Sequence, residues 1–500
     1  MLSSGVVFLI AFVLRLLVPL TSRGLVGNYS YDAGVYYSAG AALVHGRLPY
    51  RDFILLHPPG VALAAAPAAW IGRLTTDHIG FAVAALEFMA LGAASAALVV
   101  VVARGLGAGR RASIAGGLFY AAWFLSVRAE YLSRLEPLGN FLLLCGLAAY
   151  TRIGGEHSRR AALLCGAALG AAVSVKVWYA VPLVVVLAFL LARHRRGDTV
   201  RAALGAVAAA VVICGPFFAL APSAMWRMVF SEQLGRDQAN SFRALVLLQR
   251  VPAGMSWPTA YLLDAVLLAT VALLVVAAWR APIVRLPMAL LLMSAAVLLT
   301  APSWFMFYVD YLTPALALCV ATGATAIGVP VSNAERRPLL LRACAVTGAA
   351  VVLLVLVGTA KAQWYRRGRP PTPLPPTQLA SAVSDVRCVM SDSPMALIGL
   401  NALDRSLGNG CVDWVDVTGR TYGADMDVRT RDGERVPRVA NPQWQRALRD
   451  YLRSGEAVIV ARPKDAGISP ATWDAIRSGG VLATAGPTTV YGVTSPNRAS

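Results

Sequence analysis

Residues able to do chemistry crowd the first sixty positions of the chain. Asp32 stands in "NYSYDAGVYYSAG" among Tyr29, Tyr31, Tyr36 and Tyr37, and "PYRDF" and then "HPPG" follow, placing His57 before two prolines. A carboxylate so placed can take a proton from a reacting hydroxyl, and nearby cations can hold a departing anion. Further charges lie in three short segments: "VRAEYLSRLEPLGN" carries Arg128, Glu130, Arg134 and Glu136, "SVKVWYAVP" carries Lys176, and "WFMFYVDYLTP" carries Asp310 between Tyr308 and Tyr311. One base with several cations suits displacement of a phosphate, which leaves as a stable anion. Glycoside hydrolysis instead needs two matched carboxyls, because its leaving group must be protonated. Asp32 is therefore the candidate base. Arg128, Arg134 and Lys176 are candidate phosphate contacts, and Tyr31, Tyr36, Glu130 and Asp310 are candidate substrate contacts.

Each of these residues has a structural alternative. Asp32 precedes the helix-like run "AGVYYSAGAALVHG", in which Val35, Ala39, Ala42 and Leu43 share a face, so it could simply cap that helix. Alternating charges at a helix end often pair with one another, and Lys176 could be a snorkelling side chain. Four charges at one membrane boundary nevertheless argue for function, because charge there is expensive.

The elements that position these residues follow from composition. The chain has 500 residues, 57% hydrophobic and 14% charged, with a mean hydropathy of +0.61. Soluble domains carry about 25% charged residues, so this is a polytopic α-helical membrane protein. Apolar runs near 2–20, 79–103, 112–127, 138–151, 161–175, 177–192, 202–220, 258–279, 286–301, 308–328 and 339–359 predict about eleven spans. Arginines cluster on every second short loop, at 104–111, 152–160, 193–201, 280–285 and 336–342. The positive-inside rule puts those loops in the cytoplasm, together with the N-terminus. The first loop (21–78), the loop at 221–257 and everything after Lys361 then face outward. The net charge of +19 is explained by these cytoplasmic loops and implies no nucleic-acid partner. The excess of Arg over Lys, with abundant Ala and Gly, fits a GC-rich bacterial genome and hence a bacterial plasma membrane. The first span has Arg15, no basic start and no A-x-A site, and reads as an uncleaved anchor. Arg15 is expected to pair with Glu87, and Asp264 is a second intramembrane acid.

A short first span, an outward Asp32, a surface helix, a "GRLPY" turn and the "HPPG" helix start together resemble the GT-C superfamily of membrane glycosyltransferases, especially its protein O-mannosyltransferase and aminoarabinose-transferase branch. The resemblance covers the architecture of residues 1–360 and is most specific over 31–60. It implies a sugar donor carried on a polyprenyl phosphate, a catalytic acid at Asp32 and a phosphate contact at His57, where relatives have Lys. Relatives also show paired acids where this chain has Asp32-Ala33, so a divalent metal stays open as a component and no metal ligand or cofactor is assigned. Nucleotide sugars are not supplied outside the cytoplasm, and a lipid-linked donor would meet that need. The expected reaction moves one sugar, mannose or arabinose, to an envelope glycan, glycolipid or protein with inversion. A transporter or flippase, or a non-catalytic assembly scaffold, is the alternative. The first should show repeated halves with matching broken helices, whereas here polar residues gather on one side.

Residues 361–377 include "RRGRPPTPLPPT", an extended Pro-rich spacer, and 378–500 read as a small outward α/β domain. "RCVMSD", "CVDWVDV", "AVIVARP" and "TTVYGVT" are its expected strands, with helices over "NPQWQRALRDYLRSG" and "SPATWDAIRSGG". Its expected role is that of a lid without chemistry of its own. Cys388 and Cys411 lie in this outward region and are a candidate disulfide, while the other five cysteines fall in or beside spans.

Overall fold

The structure, a computed structural model, describes residues 2–22, 24–27, 30–234, 281–301, 305–328, 379–485 and 488–493. Helix α1 (Leu2–Leu20) leads into the first loop, which holds α2 (Tyr31–Val44) and α3 (Gly60–Leu74). Then come α4 (Asp77–Gly105), α5 (Arg110–Ala122), α6 (Phe124–Glu130), α7 (Leu135–Tyr150), α8 (Ser158–Val173), α9 (Ala180–Ala192), α10 (Arg196–Leu220), α11 (Pro282–Thr300) and α12 (Thr313–Gly328). Among the described residues five helical segments are long and apolar enough to cross a membrane, and α5 with α6, bent by 56°, make a sixth. The expected spans at 258–279 and 339–359, Asp264 and the Pro-rich spacer lie outside the described residues. The remaining expected spans coincide with helices. Several of these, such as the 16-residue α7 and α8, fall short of the roughly 20 apolar residues that a simple span needs.

Glycine lets the bundle close. Where α8 crosses α10, a Cβ on Gly166 would lie 1.7 Å from the Ala202 carbonyl oxygen, and one on Gly205 would lie 2.2 Å from that of Leu163. In lipid no hydrophobic force distinguishes a neighbouring helix from an acyl chain, so such backbone approach and its dispersion contacts hold helices together. The bundle also buries one strong charge pair. Arg15, fully buried in α1, donates through Nε to Glu130 Oε2 at 2.8 Å, and Tyr120 donates to the other carboxylate oxygen at 2.7 Å. Gly92 makes room for the pair, since a Cβ there would meet both partners. The expected partner Glu87 is thus replaced by Glu130, which the bend between α5 and α6 carries back to α1.

The two ends of the bundle differ in charge. At one end the Arg193 guanidinium lies 5.7 Å from the Tyr150 ring, and Arg195 and Arg201 pair with Asp198. At the other end of α7, Glu136 meets Lys176 at 2.7 Å. The arginine-rich turns are therefore remote from the candidate site residues.

The C-terminal region is a four-stranded mixed sheet in the order β1-β2-β4-β3. In it β1 (Val389–Ser391) runs parallel to β2 (Ala457–Ile459), and β4 (Thr488–Gly492) runs antiparallel to both β2 and β3 (Val481–Ala485). Helices α13 (Pro394–Gly399), α14 (Leu403–Gly408), α15 (Pro442–Leu452) and α16 (Pro470–Arg477) complete it. Trp444 is fully buried and donates Nε1–H to the Ala466 carbonyl at 2.8 Å. Cys388 and Cys411 form a disulfide, with Cα atoms 5.7 Å apart. Two expectations fail here: "CVDWVDV" is a loop rather than a strand, and β3 was not anticipated, because its largely exposed residues show no alternation.

This region is fused to the first loop. Buried residues of α2 and α3 share one hydrophobic cluster with Met395, Leu397, Leu403 and Ile459. Gly34 of α2 lies under Met395, where a Cβ would come within 2.7 Å of Cγ. Asp77 accepts the Leu403 and Asp404 N–H groups at 2.9 and 3.2 Å, capping α14 from the membrane side, and Arg47 donates to the Cys411 carbonyl at 2.6 Å.

Replacing Gly166 by Val should lower thermal stability in detergent by about 3 kcal/mol or more, because backbone rather than a flexible side chain blocks the added carbons. Gly5→Ala, with nothing within 4 Å of its Cβ, should be neutral or stabilising by up to about 1 kcal/mol. Equal melting temperatures for the two variants would contradict the close α8–α10 crossing.

Candidate active site

A cavity of about 440 Å³ opens between the first loop, the N-terminal end of α7, the 305–308 segment and the C-terminal region. Asp32 lies in its wall with Tyr31, Tyr36, His57, Arg134 and Glu136. The helix that carries Asp32 is capped by its neighbour Ser30, whose Oγ accepts the Ala33 N–H at 3.5 Å. Capping therefore does not occupy the Asp32 carboxylate. Among the described residues it has no hydrogen bond and no ion pair. Burial pushes the Asp32 carboxyl above its ordinary value, Arg134 pulls it down, and Asp416 and Glu136 push it up again. Arg134 donates Nη2–H to Ser30 Oγ at 3.3 Å and lies 4.1 Å from the Phe307 ring centroid, and its buried Nε has no partner among the described residues.

The "HPPG" turn is built by contact. Pro59 precedes the first turn of α3, and Gly60 donates its N–H to the Ser174 carbonyl at 2.9 Å. A Cβ on Gly60 would come within 2.5 Å of that oxygen, so only glycine seats the turn beside the Lys176 segment. Tyr50, at φ 70°, bends the "PYRDF" stretch so that its hydroxyl donates to the His57 carbonyl at 2.7 Å. The His57 ring then meets Tyr36 edge-on, with centroids 6.1 Å apart.

Four expected contacts lie elsewhere. Lys176 is 3% exposed, donates to Glu136 Oε1 at 2.7 Å and sits between the Trp178 and Tyr308 rings at 3.8 and 3.9 Å. It stands behind Glu136 rather than in the cavity wall. Glu130 is consumed by Arg15 and Tyr120, and Asp310 accepts from Ser126 Oγ and from Asn140 Nδ2, the latter at 3.1 Å. Arg128 lies 5.7 Å from the Phe124 ring. Glu130 and Asp310 are thus buried structural acids, because the segments that carry them fold inward at the helix ends. Of the segment at 221–257, Glu232 and Gln233 tie down neighbouring segments, Glu232 to Arg435 at 2.8 Å and Gln233 to the Leu56 carbonyl at 2.5 Å. The rest of that segment, from residue 235 on, lies outside the described residues.

The opposite wall carries no signal in the sequence. Asp416, Thr418, Tyr422, Arg438 and Arg462 of the C-terminal region line the same cavity. Asp416 arrives on the loop expected as a strand, Thr418 and Tyr422 on the turn that follows it, Arg438 just before α15, and Arg462 just after β2. Val415, a β-branched residue at φ 60°, sits at the centre of a γ-turn closed by the Asp416 N–H on the Trp414 carbonyl at 2.6 Å. Such backbone is strained and persists only where its surroundings enforce it. Asp413 Oδ1 accepts the Val415 N–H at 2.9 Å, and the disulfide anchors the start of the loop. Asp416 Oδ1 in turn accepts from Tyr31 Oη at 2.9 Å, Gly419 N at 2.7 Å and Thr418 Oγ1 at 3.3 Å. Burial, and then Asp416, push the Tyr31 phenol up, so it stays a proton-bearing donor. Among the described residues no three His, Cys, Asp or Glu side chains converge as a metal site.

An acid-bearing first-loop helix with cations at its side sits at one end of a bundle of helices long and apolar enough to cross a membrane. No family model matches the sequence. ArnT from Cupriavidus metallidurans bound to undecaprenyl phosphate superposes with a TM-score of 0.60 at 16% identity, over 99% of this chain and 98% of that one. Its apo form gives 0.57 at 14% identity, over 98% and 97%. The chain therefore has the fold of ArnT, a GT-C fold. In sequence it is 31% identical over 237 residues to the undecaprenyl phosphate-α-4-amino-4-deoxy-L-arabinose arabinosyl transferase of Pseudomonas aeruginosa, covering 44% of this chain and 42% of that protein. The match thus spans about two fifths of the curated relative's length.

Glu130→Ala should destabilise the protein by about 3–5 kcal/mol, the usual result of leaving a buried charge unpaired, as read by thermal unfolding in detergent. Unchanged stability would contradict the structural role given to Glu130.

Proposed function

We propose that this chain is an inverting membrane glycosyltransferase. It takes one sugar from a polyprenyl-phosphate donor and passes it to a cell-envelope glycan, glycolipid or protein on the outer face of a bacterial plasma membrane. The N-terminus is then cytoplasmic, with the arginine-rich turns beside it. The unpartnered Asp32 carboxylate, in a cavity at the other end of the bundle, is the observation that carries this reading.

The steps follow from the geometry. Arg134 and His57 hold the donor phosphate, the former with an unused Nε–H. Asp32 accepts the proton of an acceptor hydroxyl as that oxygen bonds to the anomeric carbon. The bond from that carbon to the phosphate oxygen breaks, and the electron pair leaves with the phosphate toward Arg134. One displacement from the opposite face inverts the anomeric centre. Lys176 acts indirectly by fixing Glu136, so that Glu136 does not compete with Asp32 as base. The relative that acts on 4-amino-4-deoxy-L-arabinose favours a pentose of the arabinose type over mannose.

The test is transfer of radiolabel from undecaprenyl-phosphate-linked 4-amino-4-deoxy-L-arabinose, arabinose or mannose to membranes of a strain lacking this protein. Loss of the base in Asp32→Asn should reduce kcat by about 10²–10⁴-fold. Wild-type turnover in that variant, or no transfer from any of the three donors, would refute the reading. The acid limb of the wild-type rate profile should lie above the ordinary Asp value of about 3.9, because Asp32 works only when deprotonated and burial raises its pKa. In Arg134→Gln the residual activity should show the limb moved to still higher pH, since the cation that favours the charged carboxylate is gone. A limb that moves down would contradict the Arg134–Asp32 coupling.

A further inference from the structure

Asp416 has a feature that a mere lid residue does not need. Its Oδ1 is saturated by Tyr31, Thr418 and Gly419, while Oδ2 makes no hydrogen bond among the described residues and the residue lines the cavity. A strained γ-turn at Val415, a buried Asp413 bond and a disulfide all serve to hold this one loop. The arginines beside it have partners of their own. Arg462 pairs with Asp465 at 2.7 Å and lies 4.2 Å from the Tyr31 ring, and Arg438 donates to the Thr418 carbonyl and Thr421 Oγ1, both at 3.2 Å. A carboxylate with one fixed and one open oxygen accepts hydrogen bonds and repels phosphate.

We propose that Asp416, supplied by the C-terminal region, is a substrate-binding residue whose open Oδ2 accepts a hydrogen bond from a hydroxyl or ammonium group of the transferred sugar. This rests on the glycosyl-transfer reading. With the donor phosphate at Arg134 and His57 on the membrane-side wall, the sugar projects toward the opposite wall, where Asp416 stands. Tyr31 links the two walls: its backbone starts the helix that carries Asp32, and its hydroxyl orients Asp416. The charged and titratable groups facing Asp32 are Arg134, Glu136 with its partner Lys176, Asp416, Arg462, His57 and Tyr36. Removing the Asp416 charge while keeping its shape should therefore ease ionisation of Asp32.

The experiment uses the full-length protein in detergent and whichever of the three undecaprenyl-phosphate-linked sugars the wild type turns over. Asp416→Asn should lower kcat/KM for that donor by about 10–100-fold, the scale of a hydrogen bond to a charged group, and move the acid limb to lower pH. Bare undecaprenyl phosphate, which has no sugar, should compete with wild type and variant alike, within about threefold. Tyr31→Phe, which frees Asp416 without removing it, should lose several-fold in the same direction. Wild-type kcat/KM in Asp416→Asn beside an inactive Asp32→Asn would overturn the proposal and leave the glycosyl-transfer reading standing. Loss of bare-lipid competition would also overturn it, in favour of a purely structural role. If Asp416→Asn does not fold, Tyr31→Phe decides: unchanged donor kcat/KM there rejects the proposal.

Discussion

The site depends on one carboxylate being left unbound while its neighbours are neutralised. An acid beside a membrane tends to acquire a partner, because desolvated charge is expensive. Here Glu130 is taken by Arg15, Glu136 by Lys176, Asp310 by Ser126 and Asn140, and one oxygen of Asp416 by three donors. Ser30 relieves Asp32 of capping its own helix. Asp32 remains, its pKa raised by burial and moderated by Arg134, the condition that the proposed base requires.

Glycine and helix breaks supply the geometry for this arrangement. Gly92 admits the Arg15–Glu130 pair, Gly139 leaves room for Tyr179, which bonds Asn140, and Gly60 seats the His57 turn on the Ser174 carbonyl. None of these positions carries chemistry. Each lets neighbouring groups approach closely, two of them around buried structural contacts and Gly60 beneath the turn that carries His57.

Much of this was legible in the sequence, and the failures have physical causes. Apolar runs located the helices because burial in lipid demands them, and the density of polar residues in the first loop marked Tyr31, Asp32, Tyr36 and His57, all of which line one cavity. The pairing of Arg15 was misassigned because span periodicity says nothing about a 56° bend that returns Glu130 to α1. The charges in "VRAEYLSRLEPLGN" read as one group in the sequence, yet they divide: Arg134 and Glu136 face the cavity, whereas Glu130 faces the core. Asp416 was overlooked because "CVDWVDV" alternates like a strand. Only the left-handed Val415 and its γ-turn distinguish the loop, and no local signal announces a β-branched residue in that conformation.

The most direct measurement is a structure of the full-length protein with an undecaprenyl-phosphate-linked sugar bound. The expected result places the phosphate against Arg134 and His57, with an acceptor-oxygen position about 2.6–3.2 Å from the Asp32 carboxylate, the reach a general base requires, and the sugar ring beneath Asp416. A phosphate held at the arginine-rich end of the bundle, or a sugar that leaves Asp32 facing only solvent, would contradict the role given to that carboxylate.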